Sequence, residues 1–436
     1  MNNVNKKKSL SARYFKSTQM LKRAEQSIPL GSQTFSKSKT QFPLGASPFF
    51  ITRGDGANVW DVDGNKYIDF ISALAAVTLG YNDDDVNMAV KTQLTDGVIF
   101  SLSHPLEHQV AEKIIEMVPS VEKVRFGKNG SDATAGAIRL ARAYTKKDYV
   151  LYCGYHGWQD WYIGSTSMNR GVPESVQKLT DNFQYNNIDS LIQKFEFYKN
   201  QVAAVIIEPM NTQYPMKGFL ESVKEITHRN NSVLIFDEIV TGFRLSHGGA
   251  QELFGVTPDL TTLGKGLANG FPLSAIAGRS DIMSLLEEVF FSFTFGGEAL
   301  SLAASLATLN KLQNEPVLET IKENGTFLNN ELNTLINGYD LQDFVSISGH
   351  PSWSFISFSK NLNQQKAKTF FMQEMLCSGI LCLGSHILTY AHTQKDIRYL
   401  LKTYDLFFEK LKRSIKMNNL DEYIHCEVIE PLFKVR

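Results

Sequence analysis

The apolar run Val233-Leu234-Ile235-Phe236 ends in two carboxylates, Asp237 and Glu238. A single lysine, Lys265, follows 28 residues after Asp237, set among Gly264, Gly266, Ala268 and Gly270 just beyond another strand-like run. A short run rich in β-branched and aromatic residues reads as a buried strand. An unpaired carboxylate is costly to bury, so the two acids are expected outside the core, at the strand's carboxyl end. Ligands of open α/β sheets bind at that end. The glycines around Lys265 allow unusual backbone angles and the close approach of a large group. An amine that can form a Schiff base and an acid that can face a pyridine nitrogen are the two groups pyridoxal phosphate requires of a protein.

Other constellations point to the same edge of a sheet. Glu208 ends the run VAAVII as Asp237 ends VLIF. Tyr155-His156-Gly157-Trp158, then Trp161-Tyr162, come directly after the run 149–153. An aromatic there can lie flat on a heteroaromatic ring, while Trp161 and Tyr162 read equally well as a buried cluster. Gly127-Lys128-Asn129-Gly130-Ser131-Asp132 separates a strand from the small-residue helix ATAGAIRLARAYT. Amide groups at such a helix start, with the Ser131 hydroxyl, make a phosphate seat; taken alone, the pattern reads as a Ser/Asp cap. It is neither the dinucleotide fingerprint nor the nucleotide P-loop. His104-Pro105-Leu106-Glu107-His108 matches H-x-x-E-H formally. Pro105 belongs at the first position of a helix, which leaves His104 outside it, off the face of His108. A helix start is the better reading, and no metal site is expected.

The positioning elements follow from periodicity. Helices are predicted at 84–97, 105–118, 132–144, 187–199, 217–230 and 280–288, strands at 121–126, 149–153, 202–207, 233–236 and 273–277. That alternation implies an α/β domain with a mostly parallel sheet covered on both faces. Before it, Ser11–Ser27 has helical spacing, with Tyr14, Met20, Leu21 and Ala24 on one side and a basic, solvated face opposite. Turns at Gly54-Asp55-Gly56 and Asp63-Gly64 divide 49–70 into a three-stranded meander. After it, one long helical pattern from Gly297 to Leu335 leads into an α+β region with strands at 344–348, 353–358 and 380–383 and helices at 364–378 and 394–413. The expected division is 1–72 as the N-terminal part of a small domain, 73–311 as the large domain and 312–436 as the rest of the small one.

Composition narrows the function classes. The 436 residues carry a net charge of −1, with 43% hydrophobic and 20% charged residues, so neither nucleic acid nor an acidic membrane surface is implied as a partner. Four scattered cysteines make no disulfide framework. The start MNNVNKKKSL has no apolar segment behind it, and a cytoplasmic protein is expected.

Taken together, RGDGANVWDVDGNKYIDF, SHPLE, NGSDATAGAIRLARA, YHGW, IIEP, LIFDEIVTGFR, PDLTTLGKGLANGFP, SFTFGG and AHTQKDI resemble the class III aminotransferases of fold type I, and in particular glutamate-1-semialdehyde aminomutase and its relatives. The resemblance spans nearly the whole chain. It implies pyridoxal 5'-phosphate as cofactor, Lys265 as the Schiff-base lysine and Asp237 as the partner of the ring nitrogen. On the same resemblance Tyr155 would stack on the ring, Gly130 and Ser131 would hold the phosphate, and His156 and Glu208 would lie near the site. Thr294, in SFTFGG, would by the same resemblance reach the phosphate of a neighbouring subunit's cofactor, which implies a homodimer with shared active sites.

Three departures bear on the substrate. The aminomutase has an arginine in its N-terminal loop, in a segment of the form SPVRAF; here SQTFSKSKTQF has only Lys37 and Lys39, and a lost guanidinium is not a conservative change. GGNP becomes Gly296-Gly297-Glu298-Ala299, and extra indoles follow Tyr155. Ser32, Trp158 and Glu298 are the substrate-side candidates, and aromatic platforms beside hydroxyl and amide side chains suit a hydroxylated, sugar-like acceptor. The expected activity is transfer of an amino group from an amino-acid donor to an aldehyde or keto acceptor. The alternatives are an intramolecular aminomutase and a pyridoxal phosphate-binding protein without turnover.

Overall fold

The computed structural model describes Leu10 and residues 12–430. The basic start and Ser11 lie outside the described residues. The described residues form two compact units, one of Ala75–Thr78 and Asp84–Leu318, the other of those up to Leu74, Leu79–Asp83 and residues 319–430.

The larger unit is built on seven strands: β1 (Lys123–Gly127), β2 (Tyr149–Cys153), β3 (Thr180–Asn182), β4 (Val202–Ile207), β5 (Val233–Asp237), β6 (Leu260–Leu263) and β7 (Ser274–Gly278). Their order in the sheet is β1-β7-β6-β5-β4-β2-β3. Strands β3, β2, β4, β5 and β6 pair in parallel, and β7 runs antiparallel to both of its neighbours. The carboxyl ends of β1, β2, β4, β5 and β6 therefore share one edge. Side chains alternate between the faces of a strand. Ala204, Ile206, Val233 and Ile235 pack with Ala133, Ala137 and Leu140 of the helix Gly130–Thr145 on one face. Val205, Ile207, Leu234 and Phe236 pack with Leu191, Phe219 and Val223 on the other. Burial on both faces explains why the runs are continuously apolar rather than alternating.

Two helical expectations change. The pattern read from Gly297 to Leu335 is two helices, Ala299–Asn314 and Val317–Gly338. Pro316 lacks an amide hydrogen and drives the residue before it out of the helical region; Glu315 is extended, at φ −121° and ψ 154°. The segment read at 280–288 is one α-turn, Ser280–Met283, followed by a 3₁₀ turn, Ser284–Glu287. His104 caps the helix Pro105–Met117 from outside, and Glu107 closes a capping box, as the position of Pro105 requires.

In the smaller unit the meander Ile51–Asp55, Asn58–Asp61 and Lys66–Asp69 is antiparallel, and Ile380–Leu381 adds to it in parallel. Val345–His350, Trp353–Phe358 and Ser385–Ile387 form a second, antiparallel sheet. The N-terminal helix runs Phe15–Ala24; Tyr14 and Leu21 are buried, but Met20, expected on the same face, is exposed. The helices Gln364–Cys377 and Gln394–Met417 bring together Phe370, Phe371, Tyr404 and Phe407, all buried. Beside them His386 is fully enclosed, its Nδ1 3.0 Å from Ser354 Oγ and its Nε2 2.6 Å from Tyr404 Oη.

Burial pushes the His386 imidazole down from 6.5 to about 4. A depressed base makes the unfolded chain the better proton acceptor, so this contribution is complete above about pH 6.5 and is lost as pH falls towards 4. Between pH 7 and pH 5 the loss is about 2 kcal/mol. Urea unfolding at both pH values should show that acid limb in the parent and a flatter response in His386→Gln.

Candidate active site

Position along β5 decides where its terminal acids go. Asp237 has the parity of Val233 and Ile235, which places it on the face covered by the helix Gly130–Thr145. Both acids were expected outside the core, yet Asp237 is 5% exposed and Glu238 fully buried. The objection to burial applies to unpaired carboxylates, and neither is unpaired. Asp237 Oδ2 lies 2.7 Å from His156 Nδ1, while Oδ1 accepts from Ile239 N at 3.1 Å and Thr262 Oγ1 at 3.3 Å. Glu238 falls on the opposite face and accepts from Thr241 Oγ1, Ala250 N, Gln251 N and Gln251 Nε2. Burial nevertheless raises its carboxyl above the ordinary range. Glu238 thus fixes the course of residues 238–251 and leaves Asp237 as the acid on the face of the helix Gly130–Thr145.

Asn129 caps the helix Gly130–Thr145, its side chain accepting from Ser131 N and Asp132 N, so the cap lies ahead of the Ser/Asp pair suggested by sequence. Ser131 Oγ accepts from Trp158 N at 3.2 Å, which leaves its own proton to donate. Gly157, at φ +103°, is required there: a Cβ on it would stand 2.3 Å from Ser131 Oγ. Ile239 links this seat to the lysine turn. A Cβ on Gly130 would meet its side chain at 3.2 Å, and one on Gly264 would meet it at 3.0 Å. Asp237 is paired with Thr262 in the β5–β6 register, and Lys265 is three residues further on. The intervening chain spans at most about 11 Å. Lys265 itself is half-buried with φ +44°, a left-handed conformation that a non-glycine residue holds at a cost.

Tyr155, after β2, is half-buried, and its amide donates to Glu208 Oε2 at 3.1 Å. Of the two readings for the following aromatics, Trp161 and Tyr162 form the buried cluster, packing around His156. Trp158 is 63% exposed. The structure therefore brings Gly130, Ser131, Tyr155, His156, Glu208, Asp237 and Lys265 to one edge of the sheet. Thr294 stands apart, exposed in the turn after Phe293. Glu298 caps the helix Ala299–Asn314 and pairs with Lys128 Nζ at 3.0 Å, tying the loop of Thr294 to the turn before Gly130. Ser32 lies in the smaller unit, its hydroxyl donating to Thr34 O.

Three residues escaped the sequence reading. Thr262 reaches Asp237 only through strand register, and Ile239 was one more apolar side chain. Arg244 is enclosed, its Nη2 donating to Val77 O and Thr78 Oγ1, and burial lowers its guanidinium to about 10. A lone arginine closing the motif TGFR was the available signal.

The larger unit, with its mixed seven-stranded sheet and helix-covered faces, is that of the fold type I pyridoxal phosphate-dependent transferases. Residues 42–395 match the family described as aminotransferase class-III, and the chain belongs to that family. It is 34% identical over 396 residues to a 3-aminobutyryl-CoA aminotransferase of Cloacimonas acidaminovorans (strain Evry), covering 88% of this chain and 94% of that protein. It is 35% identical over 403 residues to a glutamate-1-semialdehyde 2,1-aminomutase of Aquifex aeolicus (strain VF5), covering 86% and 93%. Among solved structures, the FumI protein of Sphingopyxis sp. MTA144, in its PLP internal aldimine form, superposes with a TM-score of 0.86 at 26% identity, covering 92% of this chain and 97% of that one. Class III aminotransferases use pyridoxal phosphate. The residues here fit that group: a helix start with a serine proton to donate, a carboxylate with three of its roughly four lone-pair directions filled, and a primary amine whose turn rests on the same Ile239. No helix among the described residues is long and apolar enough to cross a membrane.

Proposed function

We propose that this class III aminotransferase moves an amino group from an amino-acid donor to an aldehyde or keto acceptor, with Lys265 and Asp237 as its catalytic residues. The observation that carries the reading is the buried Asp237, oriented by three donors on the face of the Ser131 helix and one strand from the Lys265 turn. Gly130 and Ser131 would hold the phosphate, Tyr155 would cover the ring, and Asp237 would face the ring nitrogen. Once bound, the cofactor supplies an electron sink for the bond broken at the substrate's α-carbon. Asp237 would hold a proton at the ring nitrogen, its two oxygens kept aimed by His156 and Thr262. Lys265 would anchor the cofactor and, with substrate bound, would serve as general base at the α-carbon. Glu208 fixes Tyr155 through the backbone.

The acceptor in this reading is a polyhydroxy aldehyde or ketone. Support comes from the segment 32–42: it holds no arginine, and one of its two lysines, Lys39, is paired with Glu25. Ser32, Trp158 and Glu298 are the substrate-side residues of the proposal, Glu298 acting through the loop it caps. A cytoplasmic homodimer completes it. Exposed Ile99, Phe100 and Leu102, with Phe290, Phe293 and Phe295 around Thr294, form apolar loops joined by the bond from Ala299 N to Val98 O. A second copy would cover them and receive Thr294 at its phosphate.

Relatedness to the Aquifex aminomutase keeps one second reading in view, an intramolecular shift of the amino group. Incubating PLP-loaded protein with single amino acids, in the absence of an acceptor, separates the two. A transaminase releases about one equivalent of the matching oxo-acid per site. An aminomutase converts one compound to its isomer and releases none.

A further inference from the structure

His156 and Trp161 each hold one buried ring nitrogen that no group among the described residues satisfies, Nε2 of the imidazole and Nε1 of the indole. The residues are 1% and 7% exposed, and their rings stack with centroids 6.1 Å apart and planes inclined by 24°. A carboxylate only accepts, so the 2.7 Å contact with Asp237 assigns the Nδ1 proton to His156. In the neutral ring Nε2 is then an acceptor without a donor, whereas an indole nitrogen is a donor only. The hydroxyls of Thr134 and Tyr162 are engaged elsewhere: Thr134 Oγ1 donates to His156 O at 2.9 Å and Tyr162 Oη to Gly154 O at 3.2 Å. Tyr152 and Tyr162 close on the imidazole edge-on at 6.1 and 5.4 Å. One orphan donor and one orphan acceptor in a single buried cluster are complementary, and buried polar groups are rarely left unpaired.

We propose that Trp161 is a positioning residue. Its indole N–H, directly or through one bound water, supplies the hydrogen bond to His156 Nε2 that fixes the imidazole as the Nδ1–H tautomer facing Asp237. Trp161 acts entirely through His156 and touches neither substrate nor cofactor. This deepens the proposed function, on which only its consequence for the cofactor rests.

The test uses full-length, PLP-loaded protein with ¹⁵N-labelled histidines, the His156 signals being assigned with His156→Asn. His156 should show a protonated Nδ1 and an unprotonated Nε2. In Trp161→Phe, which keeps a packed ring but no N–H, the Nε2 resonance should move towards that of a mixed-tautomer imidazole. PLP should also dissociate about fivefold faster, the effect of one net hydrogen bond. A crystal structure of the loaded protein separates the two sources: an ordered water between the rings, or nitrogens within about 3.2 Å of each other. An Nε2-protonated His156 in the parent overturns the proposal, as do identical His156 resonances in parent and variant. Should the variant not fold, the parent's tautomer and the crystal structure decide. Failure to take up PLP would count against the proposed function and leave the tautomer result standing.

Discussion

Lys265→Ala should lower turnover on the order of 10⁴-fold while the protein still takes up PLP. In the proposed function two contributions would vanish with one amine: the covalent hold on the cofactor and the general base at the α-carbon, the latter alone worth roughly 10²–10⁴-fold. Uptake persists because the phosphate seat and the acid lie on other strands. Gly130 and Ser131 follow β1, and Asp237 ends β5. The turn should hold its shape, since alanine bears the same left-handed backbone, φ +44°, no worse than lysine does. Borohydride, which fixes the cofactor on the parent chain, should leave it extractable from the variant. Lys265→Arg separates charge from chemistry: it keeps a cation at the turn, forms no such link and should be as slow as the alanine variant. Oxo-acid release in a single turnover is the measurement. A Lys265→Ala protein within tenfold of the parent removes the lysine from its role.

What could be read from the chain was what local rules control. Parity along VLIF and VAAVII, and the alternation of such runs with helices, already contain the sheet and its two covered faces. Pro105 placed His104 outside its helix by the same local logic. Pro316 is just as local, yet the helical periodicity on both sides of it hid the break. Strand β3, Thr180–Asn182, offered no apolar signal because it is a short, polar edge. The burial of Glu238 depends on donors 12 and 13 residues further on, and Thr262 meets Asp237 only because β5 and β6 take one register rather than another. Desolvation penalties can be judged from sequence; the partners that offset them are set by tertiary structure.

That dependence makes Asp237→Asn the sharper test of the site's electrostatics. The substitution keeps size and shape and removes one charge. A unit charge about 4 Å from its partner, at an effective dielectric near 20, is worth about 4 kcal/mol. Turnover should therefore fall about 10³-fold. Stability should fall too, by a mechanism the geometry specifies. Both carboxylate oxygens accept, Oδ2 from His156 Nδ1 and Oδ1 from Ile239 N and Thr262 Oγ1. An amide must turn its NH₂ towards one of these sides, setting donor against donor at a cost of about 1–3 kcal/mol. Turned towards His156, it forces the imidazole to surrender its Nδ1 proton; turned towards Ile239, it leaves a backbone amide unmet. Thermal denaturation reads the stability loss, and oxo-acid release with saturating PLP reads the catalytic one. Asp237→Glu retains the charge but displaces it by one methylene, so it should recover part of the rate without recovering the melting temperature. An asparagine variant that melts low yet turns over within tenfold of the parent would show that the acid at the tip of β5 holds the loop together and contributes little to the chemistry.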